Sequence, residues 1–215
     1  MGVTGYTILQ NAEWFRAFTL KLHGRIVLPS QKRQETEMNI YRCRICGDSY
    51  LGADAPTHCP YCGAHKEHLV DLMEYPETIN DVNLTEIEQN DLLEAIELER
   101  SNTRFYLAMG ADRSMPHLAS AYKRLSKIEA EHCELFCKLA GVREPKDLKI
   151  PSEIAKDWCA NIEESVAREQ KAMKFYALAA ERATNERIRE VFSAVSSIEA
   201  DHIALDGTAS RIARC

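Results

Sequence analysis

The second half of the chain carries four stretches in which apolar residues recur every three or four positions. This spacing predicts amphipathic α-helices, because residues three and four apart lie on one side of a helix. Thr85 and Glu88 fit a capping box at the start of the first helix, and Ser152 is expected to cap the third. Each helix is expected to exceed twenty residues. The predicted helices begin near residues 85, 114, 152 and 184.

The apolar stripes of these helices contain acidic residues and histidines at matched positions. The sequence Ile-Glu-Ala-Glu-His at residues 128–132 returns seventy residues later as Ile-Glu-Ala-Asp-His at residues 198–202. The same offset aligns Glu99 with Glu169. Matches at one fixed offset indicate a duplicated pair of helices.

A glutamate and a histidine three residues apart on a helix can bind one metal ion together. One glutamate from each of two helices, with Glu-x-x-His from each of two others, is the pattern of a di-iron carboxylate four-helix bundle. Solvated acids or internal salt bridges are the alternative, but they do not explain the duplicated spacing. Oxygen and imidazole ligands favour iron or manganese. The predicted ligands are Glu99, Glu129, His132, Glu169, Glu199 and His202.

Two Cys-x-x-Cys pairs, each followed by glycine, precede the helices. This is metal-ligand spacing, and four thiolates in a tetrahedron bind zinc or a single iron. The spacing does not separate a zinc ribbon from an iron site. We interpret His58, His65 and His68 as surface residues. The predicted ligands are Cys43, Cys46, Cys59 and Cys62.

Four further cysteines receive no chemical role from the sequence. Cys133, Cys137 and Cys159 fall inside predicted helices, where we expect small packing residues in a reducing cytoplasm. Cys215 is the last residue.

The net charge and the first 37 residues bear on the partners of the protein and on whether it carries a signal peptide. The net charge is -6, and no Lys/Arg cluster is interleaved with aromatic residues, so we expect neither nucleic acid nor a membrane as partner. Residues 1–37 lack the apolar core of a signal peptide, and we interpret them as an extension or arm of unknown role. A polar linker over residues 74–83 separates the cysteine pairs from the helices.

Both sets of motifs together resemble a rubrerythrin whose rubredoxin-like domain lies at the N-terminus. The resemblance rests on the cysteine pairs, Ala55-Pro56, Lys66 and the paired helical ligands. It implies a mainly α protein with a rubredoxin-like metal-knuckle domain over residues 38–74 and a ferritin-like di-iron four-helix bundle over residues 84–212. It also implies iron in the four-cysteine site and reduction of hydrogen peroxide with electrons from an NAD(P)H-dependent reductase.

Two tyrosines and one alanine refine this expectation. Tyr106 and Tyr176 each lie two turns beyond a ligand glutamate, so they either pack in the core or hydrogen-bond a ligand carboxylate beside the reacting oxygen species. Typical rubrerythrins resemble this pattern but carry another glutamate where this chain has Ala172. That difference leaves ferroxidase, iron handling or dioxygen reduction as alternatives.

The positions of the two metal sites also predict an assembly. Glu99 lies well inside the first helix, roughly 21 Å from its start at ~1.5 Å per residue. Electrons cross protein efficiently only over short gaps, and the linker of about ten residues would have to bend back sharply to bring the cysteine site beside the ligands of its own chain. We therefore expect a homodimer with electron transfer between chains, in which the cysteine domain of one chain lies against the bundle of the other, as the resemblance also implies.

Overall fold

A computed structural model describes residues 37–215, so the predicted extension lies outside this part of the chain except for its last residue. Within these residues a small β-sheet precedes four long helices. The predicted mainly α fold with an N-terminal metal-knuckle domain is confirmed. No helix within this range combines the length and apolar character needed to cross a membrane.

The cysteine pairs lie in a small domain built on a three-stranded antiparallel sheet. Strand β1 (Asn39–Cys43) lies between β2 (Ser49–Gly52) and β3 (Leu69–Asp71). The glycine after each pair, Gly47 with φ 91° and Gly63 with φ 82°, adopts the left-handed region that residues with a Cβ disfavour. Each turn can therefore close under its two cysteine sulfurs. We call residues 38–74 the knuckle module.

The helices form two antiparallel hairpins, with α1 packed mainly on α2 and α3 mainly on α4. Their buried faces include the positions that the apolar periodicity predicts. All four exceed twenty residues, as expected. The helices are α1 (Glu86–Met109), α2 (Pro116–Ala140), α3 (Trp158–Arg182) and α4 (Glu186–Ala213).

The capping box of α1 is present as predicted, with Thr85 and Glu88 bonded reciprocally through side chain and backbone. The predicted Ser152 cap is wrong. Helix α3 begins at Trp158, and Asp157 caps it by accepting a hydrogen bond from the Ala160 amide. The amide side chain of Asn161 bonds both the N–H and the C=O of Ala155, which holds the preceding residues outside the helix.

Two cysteines depart from their expected role. Cys159 and Cys215 form a disulfide between the first turn of α3 and the second residue after the end of α4. The packing role predicted for Cys159 is therefore wrong. The two ends meet because α3 and α4 are antiparallel neighbours, a proximity that appears only in the tertiary structure. Cys133 and Cys137 are free and buried, as expected.

Candidate metal centres

The four cysteines of the knuckle module converge on one point. All are buried, and the Sγ atoms are 3.7 Å apart for Cys43 and Cys62 and 3.8 Å apart for Cys46 and Cys59. A tetrahedron with metal–sulfur bonds of about 2.3 Å has sulfur–sulfur edges of about 3.8 Å. The Asp48 amide donates a hydrogen bond to the Cys46 sulfur at 3.5 Å. This set of thiolates suits one iron ion.

The six predicted helical ligands meet between the two hairpins and are buried. They form two overlapping groups in which the ligand atoms lie within 4.8 Å of one another. Glu129 and Glu199 belong to both groups, so each can bridge two ions, whereas Glu99 and Glu169 belong to one each. The groups are Glu99, Glu129, His132 and Glu199, and Glu129, Glu169, Glu199 and His202.

The two histidines direct their Nδ1 atoms at the carboxylates. Nδ1 of His132 is 3.3 Å from Glu129 and 3.5 Å from Glu199, and Nδ1 of His202 is 3.1 Å and 3.0 Å from the same two residues. Nε2 of His132 lies 2.8 Å from the backbone oxygen of Cys62. A carbonyl oxygen only accepts, so Nε2 carries the proton and Nδ1 is free to bind metal.

The chemistry of this buried cluster fits two cations. Within the described residues, both oxygens of Glu129, Oε2 of Glu99 and Nδ1 of His132 are buried without a hydrogen-bond partner. Burial, with the neighbouring charge of Glu129, raises the pKa of Glu99 to about 8. Four buried carboxylates that share two imidazoles are costly, and divalent ions lower that cost. The cluster suits a di-iron centre.

Each predicted tyrosine contacts a carboxylate of the opposite hairpin. Tyr176 donates a hydrogen bond to Oε1 of Glu99 at 2.6 Å, and Tyr106 donates to Oε1 of Glu169. The Tyr106 hydroxyl also lies 3.0 Å from Oγ of Ser165. Burial and the nearby carboxylates raise the pKa of both phenols well above the ordinary value, so both remain donors.

A buried polar pair near Tyr106 was missed by the sequence reasoning. Tyr122 donates to Oδ1 of Asp206 at 2.6 Å, and both are buried. The sequence contained a sign of this pair, because the offset of seventy aligns Tyr122 with Phe192 and Phe136 with Asp206. Each of these alignments matches a phenylalanine with a residue that carries a polar group. The duplicated halves therefore differ, with a polar pair beside Tyr106 and an aromatic pair beside Tyr176.

The knuckle module lies along helix α4 of its own chain. At one end the Arg187 guanidinium donates to the backbone oxygen of Ile45 at 3.1 Å, and at the other His65 lies 2.7 Å from Asp201. Fourteen residues of helix separate these contacts on α4, about 21 Å at 1.5 Å per residue. The expectation that the linker would have to bend back sharply to dock the module on its own chain is therefore wrong, because the module itself spans this distance along α4.

Comparison with known proteins agrees with both parts of the structure. Residues 41–69 match the sequence model of the rubrerythrin, rubredoxin-like domain. The resemblance to rubrerythrins is confirmed. The chain is also 37% identical over 114 residues to reverse rubrerythrin-1 of Clostridium acetobutylicum, and this match spans 48% of the chain and 63% of that relative. No solved structure matches the chain significantly.

Proposed function

We propose that the protein is a non-haem di-iron oxidoreductase that reduces hydrogen peroxide to water. Iron held by Cys43, Cys46, Cys59 and Cys62 would pass electrons to the bundle one at a time from an NAD(P)H-dependent reductase. The observation that supports this most directly is the hydrogen bond between His132 and the Cys62 carbonyl. It joins a ligand residue of one centre to a ligand residue of the other within a single chain.

The reaction consumes one peroxide, two electrons and two protons and gives two waters. Iron held by the six helical ligands would supply the two electrons needed to break the O–O bond. The protein orients the ligands and limits water. The Tyr106 and Tyr176 hydroxyls hold Glu169 and Glu99 in place as donors.

The two sides of the centre have different tasks in this proposal. The aromatic side chains of Phe136 and Phe192 pack beside Tyr176 and exclude water there. On the other side Asp206 is buried, and burial raises its pKa to about 6. Its carboxyl can therefore take up and release a proton slightly below neutral pH close to Tyr106, on the side where protons are to enter.

A paired variant tests the electron path. Cys43→Ser with Cys59→Ser is expected to retain two iron ions in the bundle and to lose turnover with the reductase and peroxide. Cys133→Ser with Cys137→Ser is the matched control, because these buried thiols are free and lie outside both centres. Iron analysis and peroxide consumption are measured for all three proteins. Unchanged turnover in the first variant contradicts the proposed path.

Ala172 supports a second candidate, the reduction of dioxygen or the oxidation of Fe(II) for iron handling. Ala172 is buried and adds no seventh carboxylate to the six-ligand centre. Stopped-flow reoxidation of the reduced protein separates the two functions. We expect peroxide to reoxidise the protein faster than an equal concentration of dioxygen. The reverse order, with retention of added iron, favours the second candidate.

A further inference from the structure

Two histidines of the knuckle module and one aspartate of α4 form a third cluster of metal-binding side chains. Nε2 of His65 lies 2.7 Å from Oδ2 of Asp201, and Nε2 of His58 lies 3.6 Å from the same oxygen. The side chains are 51%, 34% and 49% exposed for His58, His65 and Asp201. The cluster is therefore open to ions from solvent.

The backbone holds the two histidines as a pair. His58 and His65 form an isolated antiparallel β-bridge, and their rings lie edge to face with centroids 4.9 Å apart. Asp201 stands between two ligands in sequence, yet it faces outward, since Glu199 and His202 are buried and Asp201 is not. The cluster is thus separate from the di-iron centre.

The cluster gathers more ligand atoms than one ion pair needs. A single contact between His65 and Asp201 does not explain why His58 directs its Nε2 at the same oxygen. The three ligand atoms lie within 4.8 Å of one another. Tetrahedral ligands at about 2.1 Å from a metal are about 3.4 Å apart. The 3.6 Å distance from His58 to Asp201 is close to that value, and the 2.7 Å hydrogen bond between His65 and Asp201 has to open by about 0.7 Å to admit an ion.

We propose that His58, His65 and Asp201 bind a divalent transition-metal ion such as Zn²⁺ or Fe²⁺. Two imidazoles and one carboxylate suit these ions and leave positions open for water. The ligands come from both the module and α4, so the ion binds only when the two are docked. Its binding therefore stabilises the docked state, in which Cys62 contacts His132.

Zinc uptake by the iron-loaded protein tests this site without any activity measurement. The protein is dialysed against zinc, and zinc and iron are counted per chain by elemental analysis. We expect one zinc in the wild type and in the control His117→Ala, which removes an exposed histidine outside the cluster. We expect no zinc in His58→Ala with His65→Ala or in Asp201→Asn, with unchanged iron and visible absorbance.

Any of four outcomes overturns the proposal. The wild type takes up no zinc, or the double histidine variant takes up as much zinc as the wild type, or zinc enters only as iron is lost. The fourth is zinc uptake that persists in Asp201→Asn, because it removes α4 from the site, and the ion then does not link the module to the bundle.

Discussion

Gly47 and Gly63 occupy equivalent positions in the two knuckles but have different surroundings. Both have positive φ, so alanine at either position introduces similar backbone strain of order 1 kcal/mol. A Cβ on Gly63 would lie 3.0 Å from Cγ2 of Ile198 in α4, whereas the nearest atom to a Cβ on Gly47, among residues 37–215, would be the Tyr75 hydroxyl oxygen at 3.4 Å. Gly63 therefore allows the module to lie close to the bundle.

Gly63→Ala is expected to slow electron transfer from the knuckle iron to the di-iron centre, because the added methyl group pushes Cys62 away from His132. The rate is measured by stopped-flow after rapid reduction of the knuckle iron. Gly47→Ala is the matched control, with similar strain and no contact with α4. Equal slowing in both variants would show that strain, rather than docking, limits the rate.

Tyr176→Phe is expected to weaken iron binding about tenfold, the usual scale for losing a hydrogen bond to a ligand residue. The variant leaves Oε1 of Glu99 without its phenol donor. Affinity is measured by competition with a chelator. Tyr122→Phe is the control, since its hydroxyl donates to Asp206 and not to a ligand. If the two variants bind iron equally, the hydrogen bond to Glu99 does not orient that ligand.

At the level of elements, Glu88 joins the starts of two helices from different hairpins. Its carboxylate caps α1 through the Thr85 amide and accepts hydrogen bonds from the amides of Thr184 and Asn185 beside the start of α4. Burial alone would raise its pKa. The hydrogen bonds from Asn185 and Thr85 outweigh burial and lower the pKa to about 2.

Glu88→Gln is expected to lower the free energy of unfolding at pH 7 by about 3 kcal/mol, at ~1.4 kcal/mol per pKa unit. The folded pKa lies below the ordinary 4.5, so this stability is present above 4.5 and is lost as pH falls towards 2. Urea unfolding from pH 7 to pH 3 should therefore show the difference between the two proteins shrink. Glu86→Gln, at an exposed position in the same turn, is the control. A difference that does not change with pH would contradict this role of the carboxylate.

Sequence reasoning could predict those features whose pattern lies within a few residues or repeats at a fixed spacing. The capping box at Thr85 needs only two residues of one turn, and the six helical ligands repeat at one offset. Ser152 failed as a cap because Asn161 and Asp157, farther along the chain, hold the backbone differently. The disulfide and the contact between Cys62 and His132 join residues that are far apart in sequence, so no local pattern predicted them.

At the scale of the whole molecule, the module docks on its own bundle, and this changes the expected electron route. The Arg44 side chain also pairs with Glu190 of α4 at 3.0 Å, beside the contact between Arg187 and Ile45. One chain therefore contains both centres and the contact that joins them. A homodimer stays a prediction, and electron transfer between subunits is no longer needed to explain the distance.

A mixing experiment tests the route within one chain. One variant lacks Cys43 and Cys59, and the other carries Glu129→Ala with His132→Ala. If the protein is a dimer, verified heterodimers of the two are expected to remain inactive, because no chain has both centres. Peroxide turnover restored in the heterodimer would show that electrons cross between subunits.

The division of the ligands between the two hairpins has a consequence for how the protein matures. Each hairpin supplies two carboxylates and one imidazole, and each packs mainly within itself. Without ions, four carboxyl groups face one another between the two hairpins. Each bound ion takes ligands from both hairpins and therefore also links them. Newly made chains that lack iron also lack this link between the hairpins, so we expect them to be the most susceptible to proteolysis. The amount of protein in a cell would follow the supply of iron as well as the rate of synthesis.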